Sequence, residues 1–149
     1  MDNQNPMFNI LAKIPLFKDL TDESKDLIVS SITLQYFPKN HKIFNKGDTG
    51  DAMFIIKKGL VKIYLGDSLD PDEQTILAEL SDNGFFGEMA LVSDKPRNAN
   101  AMAMVESEIF ILKKDDFNNL IAGNPSLAEQ VSTEFISRVK SNDQNPEMS

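Results

Sequence analysis

A chain of 149 residues, 41% of them hydrophobic, can bury about 70% of its unfolded surface as one domain and needs no disulfide or metal staple. It has no cysteine, which excludes thiolate metal sites, catalytic thiols and a disulfide framework and fits a reducing compartment, so the cytosol is the expected location. A net charge of −8 and a pI near 4.6 oppose a nucleic-acid surface, no apolar run approaches the roughly 18 residues of a membrane span, and the polar opening Met1 to Pro6 does not read as a leader.

In chain order, Met7 to Leu11 reads as a short helix that the apolar elbow Ile14-Pro15-Leu16-Phe17 interrupts. Thr21 is placed to cap a second helix, with Asp22 and Glu23 in its first turn and Leu27, Ile28 and Ile32 along one face. From Thr33 the grammar changes to short β-rich runs. Seven strands are predicted: Leu34 to Phe37, Lys42 to Asn45, Ala52 to Lys57, Leu60 to Leu65, Thr75 to Leu80, Asn98 to Met104 and Glu108 to Leu112. Tight reversals separate them at Pro38-Lys39-Asn40, Lys46 to Asp51, Lys58-Gly59 and Ser81 to Gly84. No intervening segment is long and helical enough for a parallel crossover, so the economical architecture is an antiparallel jelly roll or barrel.

The polar insert Gly66 to Glu73 reads as an exposed, variable connection without chemistry. Asp115 is the expected cap of a short helix that Gly123-Asn124 ends, and Pro125 opens a final helix to about Lys140. On that helix Leu127 or Ala128, Val131, Phe135 and Val139 share a face, which either packs on the domain or serves as a movable lid or dimer seam. One domain is expected over 1–149, with its core over about 14–140 and disordered tails at 1–6 and 141–149.

The stretch Phe86-Gly87-Glu88-Met89-Ala90-Leu91, followed by Pro96-Arg97-Asn98-Ala99, carries the chemistry. Gly84 and Gly87 bracket Phe85-Phe86, and glycine lets backbone amides approach an anion closely. A helical turn from Gly87 to Leu91 would aim its positive end at a phosphate. Arg97, one of two arginines among fifteen basic residues, offers a bidentate fork; the bland alternatives are a surface arginine or an Arg97–Glu88 ion pair. A carboxylate beside a phosphate would repel it, so Glu88 makes sense facing a sugar hydroxyl while steadied by neighbours. Ala99, Ala101 and Ala103 line one strand face, leaving either ligand space or room for a bulky neighbour such as Phe54 or Phe86.

These residues, with Ile43-Phe44, Lys46-Gly47-Asp48-Thr49-Gly50-Asp51, Met53 to Ile56, Gly59 and Val61 to Tyr64, resemble the cyclic nucleotide-binding domain family from about Ile14 to the last helix. The resemblance implies an eight-stranded antiparallel β roll with flanking helices and a phosphate-binding cassette between Gly87 and Ala99. It further implies that Glu88 accepts from the ribose 2′-hydroxyl, that Arg97 pairs with the cyclic phosphate, and that the amides of Met89, Ala90 and Asn98 complete the cradle. Gly47, Gly50 and Gly59 match structural turns. In this family the final helix commonly closes over the base and transmits occupancy, and Phe135 by stacking or Arg138 by reach could cap the base. Asn98 departs from the usual alanine, serine or threonine; its amide both donates and accepts, so it does not choose adenine over guanine. Family prevalence favours cAMP, with cGMP possible.

Catalysis finds no support in the residues, since His41 is the lone histidine and no nucleophile has a histidine partner at a recognisable motif. The expectation is a sensor without turnover, acting on an effector protein, with no nucleic-acid or membrane partner and a possible homodimer through the last helix. The competing class is a protein-interaction domain that keeps the fold and does not depend on cyclic nucleotide.

Overall fold

A computed structural model describes residues 6–132. Eight strands form two four-stranded sheets: β1 (Thr33–Phe37), β8 (Ser107–Lys113), β3 (Ala52–Lys58) and β6 (Phe85–Phe86) in one, and β2 (Lys42–Phe44), β7 (Asn100–Ala103), β4 (Val61–Leu65) and β5 (Thr75–Leu80) in the other. Every strand pair is antiparallel, which makes the molecule a β roll. The sequence predicts seven of these strands. The eighth, β6, is two residues long and exists because Phe86 and Phe85 pair with Phe54 and Ile55 of β3, a tertiary pairing with no local periodicity to announce it.

Alternation along β3 builds both halves of the core. Ala52, Phe54 and Ile56 face the other sheet and pack with Phe37, Phe86, Ala101, Ile109 and Ile111, while Met53 and Ile55 face the helices and pack with Leu11, Ile14, Phe17, Ile28, Leu112 and Phe117. Covered on both faces, β3 buries five consecutive residues.

The helices hold this second layer. α1 spans Pro6–Leu11, and the elbow that follows buries Ile14, Leu16 and Phe17 completely. α2 (Asp22–Ser30) starts where predicted, with the Thr21 hydroxyl accepting from Ser24 N at 3.2 Å. Thr21→Ala should therefore lower the free energy of urea unfolding by about 1 kcal/mol without altering the fold. α3 (Lys114–Gly123) begins one residue before the expected cap: Lys113 takes the cap position without a side-chain bond, and Asp115 lies inside the first turn. The Lys114 amide is already held by the Asp51 carbonyl at 2.8 Å, so the helix starts from a tertiary anchor rather than from a carboxylate cap. Residues 125–132 are helical again, and Leu127 rather than Ala128 is buried there with Val131 against the core, as the packing reading expects. Phe135, Arg138 and Val139 lie outside the described residues.

The β4–β5 connection is exposed over most of its length, yet it is fastened at its ends. Pro71–Glu73 forms a 3₁₀ turn capped by Asp70, Lys62 Nζ donates to Gln74 Oε1 at 2.6 Å, and Asn100 Nδ2 donates to the Gly66 carbonyl at 3.1 Å.

Candidate ligand-binding site

The chain leaves β6 through Gly87 and makes a single 3₁₀ turn, Glu88–Leu91, all four residues of which are buried. The sequence predicts a helical turn here; its tighter form uses the Ala90 amide internally, on the Gly87 carbonyl at 3.2 Å. Gly87 has φ +78°, and a Cβ on it would lie 2.7 Å from Arg97 Nη1 and 3.3 Å from the Ala52 carbonyl oxygen. Both the backbone conformation and the close approach of the guanidinium require glycine.

Arg97 is only 9% exposed, so the surface-arginine reading fails. Its Nη2 donates to the Ala52 carbonyl at 2.7 Å, whereas Nε is buried with no hydrogen-bond partner. Among the described residues the ion pairs are Lys57–Glu108 and Lys114–Asp94, and Arg97 belongs to neither, so the Arg97–Glu88 pair fails as well. The guanidinium instead lies over aromatic faces, with its carbon 4.2 Å from the Phe44 ring centroid and 5.6 Å from that of Phe54. Burial pushes its pKa down, and the fields of Asp51 and Asp48 push it partly back; the group stays charged at any physiological pH. The result is a desolvated cation whose charge no carboxylate among the described residues contacts directly.

The turn before β3 fixes the arginine's main chain. Arg97 N donates to the Asp48 carbonyl and Gly47 N to the Arg97 carbonyl, both at 2.8 Å, and Thr49 bridges Pro96. Gly50 comes so near that a Cβ there would meet the Ala90 Cβ at 2.8 Å. Its role is thus close packing against the cassette as well as turning the chain.

Glu88 is buried, and its Oε2 accepts from the Leu16 amide at 3.2 Å, which supplies the neighbour expected to steady it. Phe86, Gly87, Glu88, Arg97, Asn98 and Ala99 line one cavity of about 400 Å³, within the usual range for small-molecule sites. Met89 and Ala90 are buried but do not line it, and Asn98 is exposed at its edge. The two readings of the alanine face divide along the strand. Ala99 opens onto the cavity, whereas Ala101 and Ala103 pack with Phe54 and Phe86. The suggested base-capping residues Phe135 and Arg138 fall outside the described residues.

Sequence reasoning missed three contributors. Phe44 supplies the aromatic face under Arg97, the Leu16 amide orients Glu88, and Ile63, Leu77, Ala78 and Leu80 make an apolar wall from β4 and β5. For Phe44 a faint signal existed, an aromatic two residues before the glycine turn; a backbone amide leaves none.

A β roll that holds a buried guanidinium, a braced carboxylate and an apolar wall around one cavity presents groups complementary to an anion, a hydroxyl and an apolar face. The family model of the cyclic nucleotide-binding domain matches residues 34–124, and the chain belongs to that family. It is 32% identical over 129 residues to the cyclic AMP receptor protein of Thermus thermophilus, covering 87% of this chain and 59% of that one. It is 33% identical over 131 residues to a cyclic nucleotide-gated potassium channel of Rhizobium etli, covering 88% of this chain and 35% of the channel. The crystal structure of the N-terminal domain of a transcriptional regulator from Streptomyces coelicolor superposes with a TM-score of 0.77 at 24% identity, over 91% of this chain and 94% of that one. The chain thus spans less than two thirds of the curated relatives it matches. Among the described residues no helix is long and apolar enough to cross a membrane.

Proposed function

We propose that this chain is a cytoplasmic sensor domain that binds cAMP in the cavity between the Glu88–Leu91 turn and β4–β5, and that it acts on an effector protein without turnover. The observation that carries the reading is Arg97: a buried cation with an unpartnered Nε, at the wall of a cavity of ligand size, is stabilised by an incoming monoanion more than by anything the described protein offers it. In this reading the cyclic phosphate pairs with Arg97 and takes the amides of Met89 and Asn98. Glu88, held by Leu16, accepts from the ribose 2′-hydroxyl. The base lies along Ile63, Leu77 and Ala78, capped by Phe135 or Arg138. The single domain spans 1–149, and the last helix changes population because it contacts the occupied state better; the same helix could join two copies. The name of the Thermus thermophilus relative supports cAMP over cGMP.

Titration calorimetry with cAMP and cGMP tests the reading. Saturable heat with cAMP, and a weaker response to cGMP, is the expected result. No heat and no thermal shift with either ligand would reject it in favour of a domain that works through protein contacts alone.

A further inference from the structure

Asn100 is 5% exposed, and both ends of its carboxamide are engaged. Its Oδ1 accepts from the Lys46 amide at 2.7 Å, and its Nδ2 donates to the Gly66 carbonyl at 3.1 Å. A single buried side chain at the start of β7 therefore ties the turn before β3 to the end of β4. That turn bears on Arg97 in three ways. Asp48 holds the arginine's own amide and Gly47 its carbonyl, Gly50 packs so near that a Cβ on it would lie 3.6 Å from the guanidinium carbon, and Asp48 and Asp51 supply the field that offsets its burial. Lys46 is the residue at which this turn is fastened to the sheet.

We propose that Asn100 is a positioning residue for Arg97: by bridging the Lys46 amide and the Gly66 carbonyl it holds the turn that sets the guanidinium at the cavity wall. It does not line the cavity, so it acts through the turn and not on the ligand. Its consequence for affinity rests on the cyclic-nucleotide reading; its consequence for the turn does not. Removing the side chain leaves a partly buried amide and a carbonyl without their partner and frees the turn to shift, which shifts Arg97 with it. Asn100→Asp keeps the acceptor facing Lys46, loses the donor facing Gly66 and sets a carboxylate oxygen against that carbonyl, so its damage falls on the Gly66 side and not on the turn.

Two measurements on the full chain separate positioning from general support. Amide hydrogen exchange should speed up at Gly47 and Arg97 in Asn100→Ala, by about tenfold, and much less in Asn100→Asp, while amides of the central β3–β8 ladder keep their wild-type rates. Calorimetry should show cAMP bound about tenfold more weakly by Asn100→Ala and within about threefold of wild type by Asn100→Asp. Wild-type exchange at Gly47 and Arg97 in the alanine variant, or acceleration shared equally by the β3–β8 ladder, would overturn the proposal. Should the alanine variant not fold, Asn100→Ser, whose short hydroxyl cannot span both the Lys46 amide and the Gly66 carbonyl, carries the exchange comparison, with Gly47 and Arg97 faster than the ladder as the supporting result and no such difference as the opposing one. If wild-type protein binds no cyclic nucleotide, the ligand reading fails while the exchange comparison still decides the role of Asn100.

Discussion

Arg97→Met should bind cAMP about a hundredfold more weakly than wild type, or worse, and should unfold at a higher temperature. In the proposed binding mode the loss of affinity follows from removing two charge-assisted bonds of roughly 1.5–3 kcal/mol each from a desolvated site, where a hundredfold corresponds to about 2.7 kcal/mol. The gain in stability follows from the same burial. Arg97 has a folded-state pKa below its ordinary value, burial being the first cause, so folding disfavours its charged form. For a base shifted downward, the charged state costs the protein throughout the range below that pKa, which includes every physiological pH, and the cost fades only on strongly alkaline titration. Methionine removes the charge, keeps a long side chain over Phe44 and Phe54, and gives up the bond to the Ala52 carbonyl. Effective burial of an ion costs several kcal/mol, against about 1.5–3 for that one bond, so the balance favours the variant by about 1 kcal/mol. Glu88→Gln should be milder, about tenfold in affinity, because an amide oxygen can still accept from the Leu16 amide and from a ribose hydroxyl. Calorimetry and thermal melts on the same samples check all of this. Wild-type affinity in Arg97→Met would remove the guanidinium from the site altogether.

What could be read from the residues, and what could not, divides by where the information lies. Gly87, Glu88 and Arg97 announce themselves because each is of a residue type whose properties few others share, at a spacing one short loop can close. Seven strands were legible from their runs and turns, since alternation and glycine or proline punctuation are local. β6 was not, because Phe85-Phe86 becomes a strand only by pairing with β3 across the fold. The Phe44 platform under Arg97 joins residues 53 apart through sheet packing, and the brace on Glu88 reaches 72 positions back to a backbone amide that any residue could supply. Asp115 illustrates the opposite failure. It looks like a cap, but Lys114 is already anchored by Asp51, and the helix obeys the tertiary bond.

Gly87→Ala should cost both stability and ligand binding, and the two losses have separable origins. At φ +78° an alanine sits in the left-handed region, at an expense on the order of 1 kcal/mol that applies whatever the surroundings. Its Cβ would then face Arg97 Nη1 at 2.7 Å and the Ala52 carbonyl oxygen at 3.3 Å. The carbonyl belongs to the central strand β3 and cannot retreat, so the guanidinium must. Displacing it breaks the 2.7 Å bond to Ala52 and moves the cation away from the proposed phosphate position, adding roughly 1.5–3 kcal/mol to the destabilisation and at least tenfold to the dissociation constant. Urea unfolding should accordingly show a loss of about 2.5–4 kcal/mol. The double variant Gly87→Ala with Arg97→Met isolates the contact. Methionine carries no Nη1 to collide with the new Cβ, so the stability loss caused by Gly87→Ala should shrink toward the backbone strain alone, about 1 kcal/mol. A loss of the same size in both backgrounds would mean that the glycine answers to its turn and not to the arginine, and that the close approach of Gly87 to the guanidinium has no energetic weight.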